Sequence, residues 1–265
     1  MKKYLSFLMA LMIACLTIVG PCVALAEPAA MVEYGADDLV NPDTRMSGID
    51  AFLEGVKSLD GLTYQVGSRG TGVQEFQKLL IYCGYLPKGQ ADGMYGKKTA
   101  AAVEEFQLNA GLDITGEADV ATQFLMVMID GEFKQIGKNS IAQVENYAVV
   151  IMPEKGFYVG AVDKSSNLVQ GTEYYVTGDY YAGEYKKNVR SGKGTAHFAN
   201  GDVYVGDWKN DAMDGEGTYY FGGRDSNEYY VGHMTKNTMD GKGTYWLNGK
   251  EITGKWEKNK HKSWK

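Results

Sequence analysis

From residue 158 onward the chain repeats itself. A Tyr-x-Gly triplet stands at Tyr158/Gly160, Tyr181/Gly183, Tyr204/Gly206 and Tyr230/Gly232, with a worn copy at Ile252/Gly254, at intervals of 23, 23, 26 and 22 residues. Thirteen residues after each of the first four starts comes another glycine, Gly171, Gly194, Gly217 and Gly243, always followed by threonine. A period this short allows one supersecondary unit per copy, and such a unit cannot bury an apolar face alone, so the copies must stack. The alternation of period two puts Tyr181, Gly183 and Tyr185 on one face, and likewise Tyr204, Gly206 and Trp208. Each copy therefore reads as a hairpin: for the second, a strand over 181–185, a loop through Asn188 and Gly192, and a return over 195–198. Asn200-Gly201 and Asn248-Gly249 mark two-residue turns between copies. The glycines leave room for rings from neighbouring hairpins. The residues expected to build the sheet are Tyr181, Gly183, Tyr185, Gly194, Tyr204, Gly206, Trp208, Gly217, Tyr230, Gly232, Gly243 and Trp256.

Upstream the apolar spacing is helical, in three bursts. Val73, Phe76, Leu79, Leu80 and Cys83 stop at Gly84; Ala102, Val103 and Phe106 stop at Gly111; the third burst runs from Asp119 through Phe124, Leu125 and Val127. Asp92-Gly93 and Tyr95-Gly96 make a tight loop between the first two, and Thr99 is placed to cap the second helix. Three short helices bury one small core, spanning residues 66–128. Residues 129–157 read as a connector holding a degenerate strand or repeat, Val/Ile-rich around 149–152, and residues 27–65 as a linker with a helix at 49–59.

Two resemblances rest on these residues. Val73-x-x-Phe76-Gln77-x-x-Leu80, Gly84-Tyr85-Leu86, Asp92-Gly93-x-Tyr95-Gly96-x-x-Thr99, Ala102-Val103-x-x-Phe106-Gln107, Gly111-Leu112 and Thr115-Gly116-x-x-Asp119-x-x-Thr122 resemble the three-helix peptidoglycan-binding domain appended to many wall hydrolases. That resemblance implies recognition of wall glycan or its peptide stems, with Asp92, Tyr95 and Tyr85 as the candidate contacts. The second module, residues 158–265, resembles MORN repeats, which implies partner binding or self-association. Where that family usually has glycine seven residues after the tyrosine, this chain has Asn188, Asp211, Asn237 and Asn259, the non-glycine types most tolerant of a left-handed backbone. The basic tail, Lys255, Lys258, Lys260, Lys262 and Lys265 with Trp256 and Trp264, leaves open a weak contact with a membrane surface. The expected fold class is multidomain α+β, a small helical domain plus an elongated antiparallel sheet of hairpin repeats.

Met1-Lys2-Lys3-Tyr4, the apolar run 5–20 and Ala24-Leu25-Ala26 read as a signal peptide over residues 1–26, with an uncleaved anchor or lipidation at Cys15 as rivals. Its removal takes the formal charge from -6 to -8 and leaves Cys83 as the one cysteine. Residues 27–155 carry 10 basic and 19 acidic side chains, which argues against nucleic acid as a partner. Catalytic patterns are missing from the sequence. His197, His233 and His261 fall in no His-Glu-x-x-His, there is no Cys-x-x-Cys or Gly-x-Ser-x-Gly, and Glu104 and Glu105 point different ways on a helix. The Gly-x-Gly pairs begin strands, so they do not cradle phosphate. The expectation is a secreted, wall-associated protein without enzymatic activity, cofactor or metal, whose partners are peptidoglycan and a protein or second copy. The alternative expectation is an accessory factor of a wall hydrolase.

Overall fold

The computed structural model describes residues 61–136, 139–152 and 155–262; the leader over 1–26, the linker up to residue 60, Trp264 and Lys265 lie outside them. Among the described residues are three helices, α1 (Thr71–Tyr82), α2 (Lys97–Ala110) and α3 (Val120–Asp130), followed by thirteen strands in which every determined pairing is antiparallel. The chain divides into two units, residues 1–161 with 174–178, and residues 162–173 with 179–265.

In the first unit each helix stops where its sequence signal stands. Gly84 adopts a φ of 86° after α1, Gly111 one of 69° after α2, and Asp119 caps α3 by accepting from the Thr122 N–H at 2.7 Å. Thr99 is not the cap of α2. That position belongs to Gly96, which makes no side-chain cap bond, and the Thr99 hydroxyl faces inward to accept from Gln77 Nε2 at 3.2 Å. Val73, Phe76, Leu79, Leu80, Val103, Phe106, Phe124 and Val127 form the helical core.

That core does not close on helices alone. Residues 129–157 supply β1 (Glu132–Ile136), β2 (Asn139–Val144), β3 (Tyr147–Met152) and the start of β4 (Gly156–Val162), a consecutive antiparallel meander. Tyr147 packs edge-on against Phe76 at 5.7 Å and donates its hydroxyl to Gln123 Oε1 at 2.6 Å, while Phe157 meets Phe124 edge-on at 5.8 Å. β4 is buried at every residue and β3 at all but Met152, as expected of strands covered on both faces. Tyr64 and Ala118 exchange both backbone bonds, tying residues 61–70 to the same body.

The second unit carries the repeats. β5 (Leu168–Tyr175), β6 (Tyr180–Lys186), β7 (Val189–His197), β8 (Val203–Lys209), β9 (Ala212–Tyr220), β10 (Glu228–Thr235), β11 (Thr238–Leu247), β12 (Lys250–Glu257) and β13 (Lys260–Lys262) follow one another as hairpins. From β6 to β12 the register aligns one glycine from every strand, Gly183, Gly194, Gly206, Gly217, Gly232, Gly243 and Gly254, into a single row. Over that row lie the buried rings. The Cβ of an alanine at Gly194 would meet the Tyr181 ring at 2.4 Å, one at Gly217 the Tyr204 ring at 2.5 Å, and one at Gly243 the Tyr230 ring at 2.4 Å. The room left by Gly194, Gly217 and Gly243 is thus filled first by the tyrosine of its own hairpin, and over two of them a tryptophan of the next one closes: Trp208 Nε1 donates to Gly194 O at 3.2 Å and Trp256 Nε1 to Gly243 O at 3.1 Å.

Each tyrosine is pinned at its far end. The hydroxyls of Tyr181, Tyr204 and Tyr230 donate to the carbonyls of Glu184, Asp207 and His233 at 2.9, 3.0 and 3.0 Å, all three of them at bulges in the ladder. The bulge residue folds its side chain across the hairpin onto Gly192, Gly215 or Gly241, which adopt φ of 92°, 123° and 117°. Gly192 therefore lies inside β7 rather than in the loop, which shrinks to Lys187-Asn188.

The turn asparagines do more than tolerate a positive φ. Asn188, Asp211, Asn237 and Asn259 take φ of 63° to 66°, and the side-chain oxygen of each accepts a backbone N–H from the preceding hairpin: Leu168, Arg190, Met213 and Met239, at 2.7 to 2.8 Å. Asn237→Ala is expected to cost about 1–2 kcal/mol, through a strained left-handed backbone and the loss of a bond to Met213. A urea melt checks it; a midpoint unchanged from the wild type would show that the ladder of asparagines contributes nothing.

Candidate functional site

Two buried glutamines organise the polar side of the helical domain. Gln77, on α1, accepts from the Gly93 N–H at 2.8 Å and donates through Nε2 to Asp92 Oδ1, Met94 O and Thr99 Oγ1 at 3.0, 3.0 and 3.2 Å. Gln107, on α2, repeats the arrangement one helix later. Its Oε1 accepts from the N–H groups of Thr115 and Gly116 at 2.9 and 3.0 Å, and its Nε2 donates to Thr115 Oγ1, Glu117 O and Thr122 Oγ1 at 3.1, 2.9 and 3.1 Å. Both glutamines follow a core phenylalanine, and both hold a loop in which an Asp or Thr precedes glycine and a threonine follows that Asp or Thr seven residues later. The sequence carried that signal, but a polar residue beside Phe76 or Phe106 has no evident job until the loop it holds is in view.

The loops at 92–94 and 115–117 flank the segment 64–70, which turns at Val66-Gly67. Gly67 and Tyr95 bond through N–H and carbonyl at 3.0 Å, Tyr95 and Ser68 at 2.9 Å, and Tyr64 pairs with Ala118. The exposed side chains on these segments are Gln65, Val66, Arg69, Asp92, Met94, Thr115 and Glu117; Val66 is 61 % and Met94 46 % exposed, high for apolar groups. Asp92 faces solvent, and the bond from the Met94 N–H, reinforced by Gln77, holds its carboxyl below the usual range, so it is ionised at neutral pH.

The three candidate contacts separate on inspection. Asp92 remains available at the surface as well as serving as a loop clasp. Tyr85 is half-buried, with its ring edge-on to Phe106 at 5.5 Å. Tyr95 is 1 % exposed and donates its hydroxyl to Gly116 O at 2.9 Å, so it joins the two loops from beneath and has no free face on which a sugar could stack. Val66, Arg69 and Met94 take its place as surface candidates. They were missed because a lone apolar or basic residue in a loop carries no pattern.

Cys83 is half-buried, and burial together with Asp130 pushes its thiol well up, leaving it protonated and a poor nucleophile at neutral pH. The histidines are absorbed by the sheet: His197 stacks on Tyr180 at 4.3 Å, His233 Nδ1 lies 2.8 Å from Asp240 O, and His261 meets Trp256 edge-on. Among the described residues no group of three or more His, Cys, Asp and Glu is placed to hold a metal ion, and no helix is long and apolar enough to cross a membrane.

Glutamine-held loops on three helices, ahead in sequence of hairpins built on a glycine row, define a small helical domain followed by a repeat sheet. Residues 69–126 match the family model described as "Putative peptidoglycan binding domain", and residues 181–203, 204–226 and 230–250 each match the MORN repeat. The chain thus contains a peptidoglycan-binding domain followed by three MORN repeats. It is similar to the N-acetylmuramoyl-L-alanine amidase CwlL of Bacillus licheniformis, with 35 % identity over 80 residues, 30 % of this chain and 22 % of the amidase. Less than a quarter of that enzyme's length is therefore represented. Among solved structures, the SleB N-terminal domain is 32 % identical, covering 27 % of this chain and 97 % of that one at a TM-score of 0.25. A fused Zn-dependent amidase/peptidase/peptidoglycan-binding protein of Clostridium acetobutylicum is 15 % identical, covering 57 % and 78 % at a TM-score of 0.23.

Proposed function

We propose that this is an exported, non-catalytic wall protein whose helical domain attaches it to peptidoglycan while the MORN sheet offers a surface to a protein partner or a second copy. The observation that carries the reading is the occurrence in one chain of a peptidoglycan-binding domain and of repeats whose recurring residues, the tyrosines and glycines of the row, are all used in packing. Such a sheet is a rigid platform. Nothing in its row is poised to break a bond. The likeness of the helical segment to part of an amidase makes a wall hydrolase the first partner to test.

The attachment surface is the pair of glutamine-held loops with the segment between them. The full chain is expected to sediment with purified sacculi, and Met94→Ala combined with Arg69→Ala to weaken that binding about tenfold, because an exposed apolar group and a cation facing each other across one bridge are removed together. A wild-type chain that stays in the supernatant removes the peptidoglycan reading. Muropeptide release from those sacculi by the same preparation removes the non-catalytic one.

A further inference from the structure

Side chains directly opposite each other on neighbouring strands lie close on one face, where opposite charges stabilise and like charges repel. On the face of the sheet away from Tyr204 and Tyr230, the early repeats obey that rule: Lys193 on β7 stands opposite Asp207 on β8 and bonds to it at 2.6 Å. The same row at the end of the array breaks it. Lys242 on β11 is opposite Lys255 on β12, which is opposite Lys262 on β13, and all three are exposed. Lys260 shares the face beside them.

The local carboxylates do not cancel the row. Glu257 stands opposite Lys260 and bonds to Lys262 at 2.7 Å, Glu251 accepts from the Thr253 hydroxyl at 2.8 Å, and Asp240 precedes Lys242 by two residues on β11; the four lysines still outnumber these three. Next to the lysines, Thr244 and Thr253 bring their hydroxyls together at 2.9 Å, a second line of polar groups parallel to the first. Two strand spacings separate Lys242 from Lys262, roughly 10 Å. The array is a line of cations edged by hydroxyls.

We infer that this lysine row is a binding site for a linear polyanion with a repeating phosphodiester backbone. A line of directly opposed lysines costs stability in the free protein, and an extended anion laid across the strands relieves both repulsions, Lys242 with Lys255 and Lys255 with Lys262, at once. A single phosphate would meet one or two. The site is independent of the helical domain's attachment to peptidoglycan, and it commits the MORN sheet to a polymer rather than to a lipid surface.

The test titrates the full chain with lipid-free poly(glycerol phosphate) at several salt concentrations. Binding is expected with a slope of log K against log salt of about -2, the counterion release of two to three lysines. Lys255→Glu should weaken binding at least tenfold and raise the melting temperature by about 1–3 °C, because it inserts an opposite charge between two lysines. Its gain in stability shows that lost binding is not lost folding. Lys193→Gln, in the charge-paired part of the row, should bind as the wild type does. The inference is overturned by no binding to the polymer, by binding that Lys255→Glu leaves intact, by a fall in melting temperature in that variant, or by binding confined to vesicles of phosphatidylglycerol.

Discussion

Gly217→Ala is expected to lower the stability of the repeat unit by about 3–5 kcal/mol, close to the cost of deleting the Tyr204 ring outright. The added Cβ would stand 2.4 Å from the Tyr204 hydroxyl and 2.5 Å from its ring. Yielding by a few tenths of an ångström is not enough, and the ring has nowhere to go. On one side its hydroxyl is held by Asp207 O at 3.0 Å, and a Cβ at Gly206 would meet that hydroxyl at 2.5 Å; on the other, Trp208 packs edge-on at 5.4 Å. Expelling Tyr204 exposes a fully buried ring and uncovers Trp208. Because each hairpin is stable only through its neighbours, the loss should spread along the array rather than stay local.

The control is Gly249→Ala, at a turn where φ is 78° but no atom lies within 4 Å of the new methyl group. There only backbone strain acts, about 1 kcal/mol. Urea unfolding followed by tryptophan fluorescence compares the two, since Trp208 reports directly on the disturbed hairpin. If Gly217→Ala melts within 1 kcal/mol of Gly249→Ala, the glycine row is an accident of composition and not the organising feature of the sheet.

Local signals were legible and shared ones were not. Gly84, Gly111 and Asp119 end or begin helices through their own backbone or side chain, so the sequence displays them directly. The Tyr-x-Gly period shows itself because each copy repeats the same packing problem, although the two-residue turn and the place of Gly192 depend on a bulge that no shared residue type marks, since Glu184, Asp207 and His233 occupy it in turn. β3 shows only as a Val/Ile-rich stretch around 149–152, and β4 only through Tyr158 and Gly160, for a different reason: buried on both faces, Tyr147 to Ile151 and Phe157 to Val162 lack the alternation that announces a strand. Tyr95 looks like a surface aromatic in a glycine loop. Only the path of residues 64–70 over that loop, and Gly116 O within reach of its hydroxyl, turn it inward.

Gln107→Leu is the second large effect, expected at about 3–5 kcal/mol in the helical unit. Leucine fills the volume but offers no hydrogen bond, so the N–H groups of Thr115 and Gly116 and the carbonyl of Glu117 lose their partner together, at about 1–3 kcal/mol for each one left buried. Gln107→Glu separates hydrogen bonding from shape. One carboxyl oxygen still accepts from Thr115 and Gly116, but the other replaces an amide donor and faces the Glu117 carbonyl, so it must carry a proton. Burial and that carbonyl raise the folded-state pKa of the new group above the unfolded value of about 4.3. The folded form then binds more protons than the unfolded one, so the variant should be most nearly wild-type below about pH 4 and lose stability as pH rises through the raised pKa. The wild-type protein should show no such loss over that range. A Gln107→Glu chain as stable at pH 7 as at pH 4, measured against the wild type at both, would mean that Gln107 does not donate to Glu117 and that the second loop is held by something else.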